Sequence, residues 1–149
     1  MTAPAPVNIL LVDDDEDDFL LFQATASEIT HFPISLTWAD TFEKAVDQVI
    51  VDQFDIFFVD YRLTQHTGLE LMRLFQEAGH LQPFVILTGQ GDHDIDVRAM
   101  EEGAADYLEK ERLSAPLLER VIRYAITRAA TLNTLRQSEK RLSVLSEKL

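Results

Sequence analysis

The sequence predicts an α/β fold: a doubly wound, five-stranded parallel sheet of order 2-1-3-4-5, with an extended C-terminal helix. Three observations lead there. Val7 to Val12, Phe54 to Val59 and Phe84 to Leu87 are apolar runs too short for helices, the pattern of strands covered on both faces. Segments with helical periodicity alternate with these runs at short spacing, which argues for parallel strands joined by helices. Carboxylate, hydroxyl and amine side chains (Asp13, Asp14, Asp60, Thr88, Lys110) collect just after the runs, where ligands bind in open α/β sheets.

Taken in order, Met1 to Pro6 is a Pro/Ala tail expected to be disordered. Val7 to Val12 is the first strand. Asp13 to Asp18 then stacks six acids at the start of a helix, where the helix dipole favours negative charge. That helix continues through Phe19, Leu20, Phe22, Ala26 and Ile29 until Phe32-Pro33 breaks it. Ile34 to Trp38 forms a shorter strand. Asp40-Thr41-Phe42-Glu43 reads as a capping box, an acceptor three residues before a Glu. Phe42, Ala45, Val46, Val49 and Ile50 follow on one apolar helix face.

The Phe54 to Val59 strand runs out at Asp60 into a loop, Tyr61 to Thr67. Gly68 opens a helix with Leu69, Leu71, Met72 and Phe75 inward, ending near Gly79. Phe84 to Leu87 closes on Thr88-Gly89-Gln90-Gly91. Asp92 is a candidate cap for a helix through Val97 and Met100 that stops at Gly103, a natural left-handed C-cap. Asp106 to Glu109 is a short strand with Lys110 at its end. Ser114-Ala115-Pro116 starts the last helix, with a cap candidate and a proline in the first turn.

Composition narrows the function. The 149 residues suit one domain with a respectable core. Without cysteine, disulfides and thiolate metal sites are excluded. Met1 to Pro6 has neither a basic nor an apolar signal region, and no run approaches a membrane span, so a cytoplasmic location is expected. The net charge is −13. Residues 128–149 carry five basic and two acidic side chains, a net +3, which leaves −16 on residues 1–127. A body this acidic repels phosphate backbones; nucleic acid is a poor partner and a divalent cation a good one.

Strand order 2-1-3-4-5 makes the first and third strands neighbours and opens a crevice between their ends. Asp13, Asp14 and Asp60 would share it and repel one another without a counter-charge. A hard cation such as Mg²⁺ relieves this, taking few carboxylates plus waters and phosphate oxygens. A carboxylate, a cation, a hydroxyl and a lysine suit phosphoryl transfer. Asp60 would be the nucleophile, Asp13 and Asp14 the metal holders, and Lys110 and Thr88 the partners of phosphoryl oxygens. Gly89 leaves room for the tetrahedral group.

Leu10-Leu11-Val12-Asp13-Asp14, Val59-Asp60, Leu87-Thr88-Gly89 and Asp106-Tyr107-Leu108-Glu109-Lys110 together resemble the receiver domain of two-component response regulators, a flavodoxin-like (CheY-like) module. The resemblance covers about residues 7–127, leaving 128–149 as a helical extension. It implies that Asp60 accepts a phosphoryl group from a histidine kinase or phosphotransfer protein, with Mg²⁺ on Asp13, Asp14, Asp60 and the backbone carbonyl of Arg62. It further implies that Thr88 and Tyr107 form a switch pair reporting to the fourth-helix, fifth-strand and fifth-helix face. Such a domain is a phosphoacceptor, not an enzyme acting on other substrates. Two positions depart from the family. Glu111 replaces the usual proline after Lys110, so a trans bond is expected there. Thr64 and Thr67 stand where Pro and Asp are common.

Other readings fit less well. As a calcium loop, Asp13 onward has Asp18 and Ala24 where Gly and Glu are required. As a haloacid-dehalogenase-type phosphatase, Asp13-x-Asp15 is followed by Asp17 where Thr or Val is wanted, and Asp60 goes unexplained. His31, His66, His80 and His93 show no metal-ligand spacing. A degenerate receiver, acting as a phosphorylation-independent interaction or dimerisation module, is the remaining rival. From Pro116 to Leu149 neither Gly nor Pro stops the last helix, whose second half must project. Leu132, Leu135, Leu142 and Leu149 lie on a seven-residue frame interrupted by Glu139 and Ser146. That leaves a homodimeric parallel coiled coil or a frayed linker, with a covalently attached output module as a further expectation.

Overall fold

The computed structural model describes residues 4–89, 92 and 94–148. Residues 1–3 of the tail, Gln90, Gly91, His93, the side chains of Ser146, Glu147 and Lys148, and Leu149, all used above, lie outside what is described. A five-stranded parallel sheet runs through the body: β1 (Val7–Val12), β2 (Ile34–Ala39), β3 (Ile56–Asp60), β4 (Phe84–Thr88) and β5 (Asp106–Glu109). Its order is β2-β1-β3-β4-β5, as expected. The helices are α1 (Glu16–Ser27), α2 (Phe42–Val51), α3 (Gly68–Glu77), α4 (Ile95–Glu101) and α5 (Ala115–Lys148).

Successive strand residues point to opposite faces, and both faces are covered. Leu10, Val12, Phe57, Val59, Phe84 and Ile86 pack against α2, α3 and α4 through Ala45, Leu71, Met72, Phe75 and Ala99. Ile9, Leu11, Ile56, Phe58, Val85 and Leu87 pack against α1 and α5 through Phe22, Ala26, Leu118, Val121 and Ile122. The continuous apolar runs are the sum of these two alternating sets. With polar residues on one set, a face would go uncovered.

Several local expectations are corrected. Asp40 does not cap α2; Thr41 does, its hydroxyl accepting from Lys44 N–H at 3.1 Å, while Asp40 pairs with the Lys44 ammonium at 2.8 Å. Ile50, in the last turn of α2, is 77% exposed although it shares the apolar stripe. α1 stops at Ser27, before Ile29. Asp92 is not the cap of α4; Asp94 occupies that position, without a side-chain capping bond. Asp60 is the last residue of β3 rather than the first of the loop, and Phe54 precedes the strand. The loop itself holds a two-residue antiparallel ladder, Arg62–Leu63 with His66–Thr67, turned by Gln65 at φ 67°. Gly103 ends the α4 region at φ 106°, the left-handed cap expected of it. No cis peptide occurs among the described residues, in line with Glu111 after Lys110.

α5 is continuous, about 50 Å long at 1.5 Å per residue. Ser114 Oγ caps it by accepting from Leu117 N–H at 3.3 Å. Leu118, Val121, Ile122 and Ala125 are buried, whereas residues 134–145 are exposed throughout. Removing residues 134–149 is therefore expected to change the thermal midpoint of the body by only about 2–3 °C, within the range of surface effects. A loss of about 10 °C would show that the projecting half packs on something.

Candidate functional site

The crevice at the carboxyl ends of β1 and β3 gathers the chemistry. Val12 pairs with Val59 across the two strands, so Asp13 and Asp60 emerge side by side. Asp13 is 1% exposed and Asp60 7%. Lys110 arrives from β5 as the first residue of a single 3₁₀ turn, Lys110–Arg112. Its ammonium lies 3.0 Å from Asp60 Oδ2, 2.9 Å from Asp13 Oδ2 and 2.6 Å from Asp18 Oδ2.

By sequence Asp18 serves only the helix dipole. It belongs to the site because Asp15 takes the capping role, its Oδ1 accepting from the N–H groups of Asp17 and Asp18. That leaves the Asp18 carboxylate, one turn into α1, free to reach Lys110. Asp14 goes the other way: exposed, it accepts from the Thr64 hydroxyl at 2.8 Å and stands apart from the Asp13–Asp18–Asp60 cluster.

Backbone contacts hold the carboxylates in place. Asp13 Oδ1 accepts from Asp15 N–H at 3.0 Å, and Asp60 Oδ1 accepts from Arg62 N–H at 3.3 Å. Trp38, the single tryptophan, donates its indole N–H to the Asp13 carbonyl at 2.8 Å and stacks flat on Phe19. No sequence pattern flagged it; the Leu11–Trp38 register places it there.

Thr88 ends β4 buried, opposite Glu109 in the ladder, and Tyr107 pairs with Ile86 two residues earlier. Thr88 and Tyr107 therefore share the α4 side of the sheet, with Tyr107 partly open to solvent. Among the described residues, the nearest neighbour of a Cβ added at Gly89 is Asp92 Oδ2, at 3.9 Å.

Burial raises Asp60, and the neighbouring Asp13 charge raises it further; Lys110 opposes both, and the carboxyl is pushed up to about 7. Asp13 is raised as well, chiefly by burial. Burial alone would lower the Lys110 ammonium, but hydrogen bonds to Asp18 and Asp13 outweigh it and hold the charge on.

Arg62 contributes an unexpected side-chain contact. Its Nε and Nη2 both donate to Asp92 Oδ1, at 3.0 and 2.8 Å, while Asp92 Oδ2 accepts from Gly89 N–H at 3.0 Å. Asp92 thus ties the loop after β3 to the loop after β4. Burial works against its charge, but Arg62 and Gly89 prevail and hold the carboxyl below its usual range. A depressed carboxyl stabilises the fold above its unfolded value and loses this contribution as pH falls. Asp92→Ala is expected to cost about 1–3 kcal/mol at pH 7 by unfolding in denaturant, with the difference shrinking below about pH 4.

The residues fit a hard cation. Oxygens of Asp13, Asp18 and Asp60 lie within 4.8 Å of one another. Asp13 Oδ2 is buried and faces the Lys110 ammonium at 2.9 Å, a cation already drawn to it. A buried carboxylate oxygen aimed into an acidic cluster in this way matches the oxygen preference of Mg²⁺.

The family model for the response regulator receiver domain matches residues 9–122, inside the expected 7–127. The response regulator protein PmrA of Pseudomonas aeruginosa is 30% identical over 95 residues, 64% of this chain and 43% of that protein. The C4-dicarboxylate transport transcriptional regulatory protein DctD of the same species is 31% identical over 119 residues, 80% of this chain and 25% of that one. The chain thus spans less than half the length of either relative. A receiver domain from Clostridium thermocellum superposes with a TM-score of 0.69 at 24% identity, covering 85% of this chain and 98% of its own.

A doubly wound sheet with an acidic cluster and a lysine at its carboxyl edge defines a phosphoacceptor module of two-component signal transduction. The chain belongs to the response regulator receiver domain family. It is a regulatory domain rather than an ordinary enzyme, and its acidic triad is consistent with phosphoacceptor signalling. No helix of the described residues is long and apolar enough to cross a membrane.

Proposed function

We propose that Asp60 takes a phosphoryl group from the phosphohistidine of a histidine kinase or phosphotransfer protein and acts as a cytoplasmic signalling switch. The observation that carries this reading is the Lys110 ammonium 3.0 Å from Asp60 Oδ2, between the buried carboxylates of Asp13 and Asp60 and the half-buried one of Asp18. An ionised Asp60 oxygen attacks phosphorus. The P–N bond of the donor breaks, and its electron pair returns to the imidazole, which takes up a proton. Lys110 neutralises charge on one phosphoryl oxygen and Thr88 donates to another. Asp13, Asp60 and the Arg62 carbonyl, with Asp14 once it leaves the Thr64 hydroxyl, are the proposed ligand set for Mg²⁺. When bound there, the cation supplies charge neutralisation for the equatorial oxygens.

The phosphoryl group then favours the arrangement in which Thr88 and Lys110 both reach it, and Tyr107 reports that arrangement on the face of α4, β5 and α5. Residues 7–127 form the phosphoacceptor body. Residues 128–149 carry its state outward, to a second copy through paired α5 helices or to a linked output module.

Intact mass after incubation with acetyl phosphate tests the reading. One phosphoryl group is expected, only when Mg²⁺ is present. No adduct together with no Mg²⁺ binding would overturn it in favour of a phosphorylation-independent interaction module.

A further inference from the structure

Lys110 sits where a cation would. Its ammonium contacts Asp13 Oδ2 and Asp60 Oδ2, on two carboxylates of the proposed ligand set, and a divalent ion held by those carboxylates would repel it. Binding of the ion therefore requires the ammonium to withdraw, and the site offers it one destination. The Asp18 contact is the shortest of the three, at 2.6 Å, and Asp18 is the most open to solvent, its side chain 33% exposed against 10% for Asp60 and 1% for Asp13. The Asp18 carboxylate has no capping duty, since Asp15 caps α1, and Lys110 is its only partner among the described hydrogen bonds and ion pairs.

We propose that Asp18 is a positioning residue for Lys110. It holds the ammonium at the rim of the pocket, so that Asp13 and Asp60 can accept a divalent cation while the lysine stays within reach of the phosphoryl group. This rests on the Mg²⁺ site proposed above and adds a role that the ligand set does not contain. Asp18 acts through Lys110, not on the metal. Were it a ligand, or a remote negative charge, its removal would weaken Mg²⁺ whether or not the lysine was present.

A double-mutant cycle separates the cases, with Mg²⁺ affinity read by calorimetry on the full chain. Asp18→Asn is expected to weaken Mg²⁺ about fivefold or more in the parent, but less than about twofold in a Lys110→Met background, where the ammonium is gone and the side-chain stem kept. Lys110→Met alone should tighten Mg²⁺. Equal weakening in both backgrounds, or none in the parent, overturns the proposal. A parent protein that binds no Mg²⁺ overturns the metal reading as well, so the two failures are told apart.

Should Lys110→Met fail to fold, nitrogen-15 spectra of the lysine ammonium groups give the same decision. At saturating Mg²⁺ the Lys110 protons stay slowed in exchange in the parent and are released in Asp18→Asn. Rapid exchange in the parent itself would sink the idea.

Discussion

Asp60→Asn is expected to abolish phosphoryl capture and, with Mg²⁺ chelated, to make the protein more stable at pH 8. The two effects have one origin. Asparagine matches the shape of aspartate, and its one amide oxygen can accept from the Lys110 ammonium, with the NH₂ taking the place of the oxygen that met Arg62 N–H, so the pocket is not emptied. It lacks the anionic oxygen that attacks phosphorus, and no adduct forms.

The same anion is held at a cost. Burial and Asp13 push the Asp60 carboxyl up to about 7, against 3.8 for an unperturbed group. A carboxyl raised in the folded state binds a proton there that the unfolded chain has already released. Its stabilising contribution is complete below about pH 4 and lost as pH rises to about 7. Above that, the parent carries a buried charge the variant lacks, worth of the order of 2–4 kcal/mol.

Denaturant unfolding of both proteins at pH 5 and pH 8 with a chelator, beside intact mass after acetyl phosphate, measures both effects. A labelled Asp60→Asn would remove Asp60 as the acceptor. A variant less stable than the parent at pH 8 would show that Lys110 compensates the charge more fully than burial opposes it.

Gly68→Ala is expected to destabilise the fold by about 1–3 kcal/mol and to slow phosphoryl capture. Gly68 opens α3 with its N–H on the Tyr61 carbonyl at 2.8 Å, which brings its Cα against the end of β3. A Cβ there would sit 2.5 Å from the Asp60 carbonyl oxygen and 3.1 Å from Val59 Cγ1. Neither the backbone of a central strand nor a fully buried valine can give way cheaply. The relief must come from shifting α3 or the Asp60 peptide, and the second moves the nucleophile.

Gly79→Ala is the matched control. Gly79 has φ 93° and nothing within 4 Å of an added Cβ, so alanine there strains the backbone without touching the site. Stability measured by denaturant and capture rates measured by mass should fall together for Gly68→Ala. For Gly79→Ala only stability should fall. Unchanged capture in a destabilised Gly68→Ala would place the strain in α3 alone.

The sequence by itself determined the sheet and placed Asp13 and Asp60 at its carboxyl edge. Apolar runs four to six residues long cannot be exposed on either face, and that forces helices onto both sides. The strand order then brings Asp13 beside Asp60. The same local logic read the α3 face, Leu69, Leu71, Met72 and Phe75, the cap at Ser114 and the uninterrupted length of α5 correctly, because each depends on neighbours within a turn or two.

Tertiary structure decided whatever depends on where a side chain can reach. Asp13 to Asp18 is a run of six acids, of which the sequence assigns Asp13 and Asp14 to the site and the rest to the helix dipole. The capping bonds of Asp15 hold α1 so that Asp18 meets an ammonium 92 residues away, while Asp14 turns to Thr64. Thr41 rather than Asp40 caps α2, and Asp92 binds Arg62 and Gly89 instead of capping α4. Periodicity records which face of an element is apolar. Which of several adjacent carboxylates meets the lysine is set by helix orientation and strand register, and those exist only once the two faces of the sheet are packed.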